Sequence, residues 1–212
     1  MRILLTLTAL LATLISQAQV AWIEPTFASQ TDTVTVYFNA AEGNQALVGQ
    51  TQVYAHTGVI TDASSSPTDW RHVQGNWGTP DPNVQMTNLG GNLHKIEYRI
   101  DQFYNLPAGE TVQALAFVFR TANGSLVGRE ADGGDIFVPL FADSFAVVLQ
   151  SPGTSGIVNA NQAINFEVLT QDTAEINLYV DNQLLVSPPD TTALAFSFTA
   201  NAYGTGKKYL NY

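Results

Sequence analysis

The chain is 212 residues long and 45% apolar, which is material for one or two hydrophobic cores. Eight Lys and Arg stand against 18 Asp and Glu, a formal charge of −10, so the sequence offers no clustered cations to release counterions from a nucleic acid and no such partner is expected. Cysteine is absent, and with it disulfides, thiolate metal sites and cysteine nucleophiles.

Residues 1–18 read as a secretory signal. Arg2 supplies the positive start, residues 3–15 the apolar run, and Ser16-Gln17-Ala18 the small residues before a cleavage point. The run is shorter than the roughly 20 residues a helix needs to cross a bilayer. The expected product therefore starts at Gln19, is secreted or periplasmic, and has no membrane partner.

From Val20 onward the pattern is β. Residues 20–24 and 33–39 are β-branched and aromatic runs separated by turn formers, and Trp22 in the first run is read as structural. A loop at 40–49 leads to a strand at 53–59. Residues 93–100 alternate, with Ile96, Tyr98 and Ile100 on one face and Lys95, Glu97 and Arg99 on the other. Residues 101–106 suggest a short helical turn. Residues 111–119 are apolar on both faces, as in a central strand. Asn123-Gly124 signals a hairpin whose return strand covers 126–129. An acidic glycine loop at 130–135 precedes a last strand at 136–141.

A second β unit begins near Ala142. Alternating runs carry Ile164, Phe166 and Val168, then Ile176, Leu178 and Val180, then Leu194, Phe196 and Phe198, with turn signals about ten residues apart. The expectation is all-β: a signal at 1–18, an immunoglobulin-like β-sandwich at 19–142, and a second, truncated one at 143–212. Five strands are visible in the second unit, against around seven in a complete sandwich. Residues 203–212 lack the alternation to supply more, so the chain is expected to be a fragment.

The stretch 53–78, VYAHTGVITDASSSPTDWRHVQGNWG, concentrates two of the three tryptophans and two of the three histidines in a segment rich in Ser, Thr, Asp, Gly and Pro. Pleat alternation places Tyr54 and His56 on one face of the strand, and the loop brings Trp70 and Trp77 back towards them. Rings on polar loops above a sheet suit a sugar, whose C–H face packs on an aromatic ring while its hydroxyls take a few fixed hydrogen bonds. Trp70 and Trp77 are open to a second reading as core residues, and His56 to one as a hydrogen-bonded strand histidine.

Together YAHTGV, the tryptophan pair, GNLHKIEY and ALAFVFRTANGSLVGREADGGDIFV resemble the N-terminal module ahead of the barrel in secreted bacterial α-amylases of glycoside hydrolase family 13. That module is similar to starch-binding modules of carbohydrate-binding families 25 and 26. The resemblance covers roughly residues 20–141. It implies an immunoglobulin-like sandwich that holds α-glucan, with His56 as the binding histidine and Trp70 or Trp77 as the first stacking ring. The family's second ring opens a loop after the FVF strand; here residues 128–135 lack tryptophan. Tyr54 is then the candidate replacement, and Asp132 and Asp135 are candidate contacts to hydroxyls, although acidic glycine loops also occur as plain turns.

No catalytic residue is expected. Glu130, Asp132 and Asp135 share one short loop, whereas glycoside hydrolysis needs two facing carboxylates. His56, His72 and His94 match no metal-ligand spacing, and no metal or cofactor is expected, calcium at the acidic loop having no support. The leading expectation is an accessory starch-binding module of an α-amylase, a monomer whose partner is α-glucan. The alternatives are a purely structural spacer of a secreted multidomain surface or adhesion protein and, last, direct hydrolysis by this chain.

Overall fold

The computed structural model describes residues 19–141, 146–151, 161–199, 202 and 210–211. The signal at 1–18, the boundary near Ala142 and most of the 203–212 tail lie outside the described residues. What is described is almost entirely antiparallel β.

The first unit contains β1 (Ala21–Glu24), β2 (Thr33–Asn39), β3 (Tyr54–Thr61), β4 (Arg71–Gln74), a single 3-10 turn at Pro82–Val84, β5 (Thr87–Gly90), β6 (Leu93–Arg99), α1 (Ile100–Phe103), β7 (Val112–Arg120), β8 (Val127–Gly128) and β9 (Ile136–Pro139). One sheet has the order β1-β2-β6-β5. The other runs β4-β3-β7-β8, with β9 also paired to β7. The alternation read in 93–100 is realised: Tyr98 and Ile100 are buried, Glu97 and Arg99 exposed. The apolar β7 is central, flanked by β3 on one side and by β8 and β9 on the other.

The two sheets bury one set of side chains between them. Val34, Val36 and Phe38 of β2 join Leu115, Phe117 and Phe119 of β7 in a single cluster, and the Phe38 and Phe119 rings stack with centroids 4.0 Å apart. A buried hydroxyl chain also crosses the core. Tyr98 OH donates to Tyr104 OH at 3.1 Å, Tyr104 OH to Thr57 Oγ1 at 2.6 Å, and Thr57 Oγ1 to the Ala116 carbonyl at 2.8 Å. Each group is thereby satisfied, the condition under which a buried polar network is not costly.

Two strands escape the sequence pattern. β4 and β5 are polar, short and at sheet edges, and they form because β3 and β6 offer unpaired ladder groups beside them.

The second unit comprises β10 (Val147–Ser151), β11 (Ala163–Ala174), β12 (Leu178–Val180), β13 (Gln183–Val186), β14 (Thr191–Thr199) and β15 (Leu210–Asn211). β10-β11-β14 form one sheet and β13-β12-β15 another. Phe166, Val168, Ile176, Leu178 and Leu194 are its buried cluster. Contrary to the reading of the tail as strandless, Leu210 and Asn211 pair with Val180 and Tyr179. A two-residue strand is too short to register as alternation.

Candidate functional site: an aromatic cluster on strand β3

The pleat decides which β3 side chains reach the site. Ala55, Thr57 and Val59 register with Phe119, Phe117 and Leu115 of β7 on the core side. Tyr54, His56 and Gly58 therefore project from the opposite face. The chain covers that face by crossing it twice, once at Trp70 on the way into β4 and again at residues 75–79.

Both crossings depend on missing side chains. A Cβ on Gly58 would stand 2.9 Å from the Arg71 carbonyl oxygen and 3.2 Å from the Trp70 Cβ. At Gly75 φ is +88°, and a Cβ would lie 2.7 Å from the Ala55 carbonyl oxygen. Only glycine meets both demands there. The close approach lets the Gly75 carbonyl accept a 2.7 Å hydrogen bond from His56 Nδ1.

Both indoles gather on His56. The Trp70 ring centroid is 6.1 Å from that of the imidazole with planes 30° apart, and Trp77 meets it edge-on at 5.3 Å and 86°. An imidazole 30° from one indole and 86° from the other rules out coplanar indoles, so the cluster is an angled corner and not the flat patch a simple platform would give. Trp77 is 50% exposed, while His56 and Trp70 are half-buried. With Nδ1–H fixed on Gly75, the neutral His56 ring presents Nε2 as an acceptor.

Arg120, at the end of β7, organises the site and was not singled out in the sequence. Its side chain is fully buried. Nη1 donates to the carbonyls of Thr121 and Ala122 at 3.1 and 3.0 Å, and Nη2 to those of Asn76 and Thr79 at 2.6 and 3.1 Å. The guanidinium also lies 5.5 Å from the Tyr54 ring centroid and 5.9 Å from that of Trp77. Carbonyl dipoles and two π faces thus compensate a cation that has no carboxylate among these partners, while Nε finds no partner among the described residues. Burial lowers its pKa. The signal available in the sequence was a lone cation closing an apolar strand, next to the Asn123-Gly124 turn.

This arrangement corrects the expectation for Tyr54 and sets Asp132 and Asp135 apart from the cluster. Tyr54 is only 4% exposed and lies under Arg120, so its ring has no open face to replace a missing stacking residue. Asp132 and Asp135 each make contacts within their own loop. Asp132 Oδ1 accepts from the Gly134 N–H at 2.8 Å, and Asp135 is ion-paired to Arg129. That loop joins β8 to β9, on the far side of β7 from β3, and so apart from the His56–Trp70–Trp77 cluster.

The three histidines have separate surroundings. His72, at φ +51°, donates from Nε2 to Glu110 at 2.8 Å. Hydrogen bonds from Thr61 and His72 hold the Glu110 carboxyl below its usual range. His94 is buried against Phe38. Among the described residues no group of three or more His, Asp or Glu could hold a metal ion, and no helix is long and apolar enough to cross a membrane.

Fold and site together define an all-β module carrying an angled, partly open histidine–tryptophan cluster on one sheet. The chain belongs to a family described as a domain of unknown function (DUF8578), whose model matches residues 21–127 and so includes His56, Trp70, Trp77 and Arg120 but not the acidic loop. No curated protein matches the chain.

Proposed function

We propose that this protein holds α-glucan chains on the His56–Trp70–Trp77 cluster, as an accessory, non-catalytic module of a secreted α-amylase-type glycoside hydrolase built on immunoglobulin-like β-sandwiches. The observation that carries the reading is the gathering of two indoles around one imidazole, with Trp77 half exposed. An α-linked glucan curves, so successive sugar rings turn relative to one another. Two indoles set at a steep angle suit that curvature better than they suit a flat β-linked chain. His56 Nε2 supplies an acceptor for a sugar hydroxyl between the stacking faces. A weak grip of this kind raises the local concentration of substrate for a tethered catalytic domain.

Affinity electrophoresis in gels containing soluble starch tests the proposal. The wild type is expected to be retarded, and Trp77→Ala and His56→Ala to lose about tenfold or more in affinity, Trp70→Ala behaving likewise. Wild-type migration unaffected by starch would remove the glucan-holding role and leave a spacer.

A further inference from the structure

We propose that the bound chain continues past Trp77, over the Thr121–Ser125 turn, into a neighbouring polar cleft, so that the module grips an internal stretch of glucan and not a lone sugar unit; this rests on the α-glucan reading above. The cleft has a volume of about 440 Å³ and is walled by Gln50, Gln52, Thr121, Asn123, Ser125 and Leu126. It is open to solvent along most of its extent, a groove and not an enclosed cavity.

Its chemistry is that of a polyol site. Every polar side chain named is a neutral amide or hydroxyl; the Thr121 and Ser125 hydroxyls give their protons to Asn123 Oδ1 and keep lone pairs to accept. The side-chain amides of Gln50 and Gln52 bond to no described residue. Asn123 Oδ1 already accepts from Thr121 Oγ1, Ser125 Oγ and the Ser125 N–H, which leaves its Nδ2 hydrogens as the donors it can offer. Leu126, 39% exposed, adds an apolar surface for a C–H face. The absence of charge among these six favours a neutral sugar over an anionic one.

The cleft and the aromatic cluster share one wall. The position a Gly124 Cβ would take is 3.0 Å from Trp77 Nε1 and 3.2 Å from Cε2, so the indole edge rests on the turn that lines the cleft. Because residue 124 is glycine, no side chain stands on the crest between them.

Calorimetric titration with maltose, maltotriose and maltoheptaose, on the wild type and on a Gln50→Ala/Gln52→Ala variant, tests this. Gln52 is exposed and Gln50 half-buried, both outside the buried core, and substitutions at such positions usually change stability little. The wild type is expected to bind the heptamer about tenfold more tightly than maltose, equivalent to about 1.4 kcal/mol. The double variant should keep wild-type affinity for maltose and lose most of that gain. An unchanged length dependence in the variant, or no length dependence in the wild type, overturns the cleft while sparing the aromatic site. A wild type that binds none of the three sugars overturns the glucan reading, and the cleft with it.

Discussion

Burial of an imidazole with neither ring nitrogen bonded favours its uncharged form, and His94 is in that position: fully buried, stacked on Phe38, with Nδ1 and Nε2 both without partners among the described residues. Burial lowers its pKa from the ordinary 6.5. Above that pH both folded and unfolded chains carry a neutral ring. Below it the unfolded chain takes up a proton that the folded chain refuses, so stability falls with pH from the unfolded value down to the folded one, by at most about 1.4 kcal/mol per pH unit. Urea denaturation between about pH 7 and pH 5 should show this loss, and a His94→Leu variant should lose less over the same window. Parallel curves for the two proteins would show that His94 is not the cause. The same physics explains what was legible residue by residue. The gathering of His56, Trp70 and Trp77 was readable because the strand and its loop keep them within one stretch. Tyr54 was misread because the group that covers it, Arg120, comes from a strand distant in sequence.

Between β3 and β4 the contact is set by one absent methyl group. The Gly58 site has a backbone oxygen, that of Arg71, within 2.9 Å of where a Cβ would stand, and backbone cannot swing aside as a flexible side chain can. Gly58→Ala is expected to cost about 1–3 kcal/mol, to push β4 outward, and to weaken starch retardation because Trp70 moves with it. Wild-type stability together with wild-type retardation would show that the crossing is not held by this contact. Strands with a buried face, such as β6 and β7, were legible because burial imposes a pattern on the residues. β4 and β5, RHVQ and TNLG, bury little; their existence is a property of the neighbouring strands' ladder groups, and no local periodicity records it.

At the scale of the molecule, the −10 charge surrounds a site whose aromatic members, Trp70 and Trp77, and whose neighbouring cleft are uncharged. Affinity for a neutral glucan is therefore expected to change less than about twofold between about 0.05 and 0.5 M NaCl, whereas a sulfated glucan should be disfavoured at low salt and less so as salt rises. Strong salt dependence with the neutral polymer would point to charged contacts elsewhere. The all-β character was readable from composition and alternation, while β15 was not, since two residues carry no period. Arg120 has one more implication. It fastens the loops on either side of Trp77 entirely through main-chain oxygens, those of Asn76, Thr79, Thr121 and Ala122. The side chains of Asn76, Thr79 and Ala122 take no part in that anchor, so substitutions there are expected to alter the surface beside Trp77 without dismantling the scaffold.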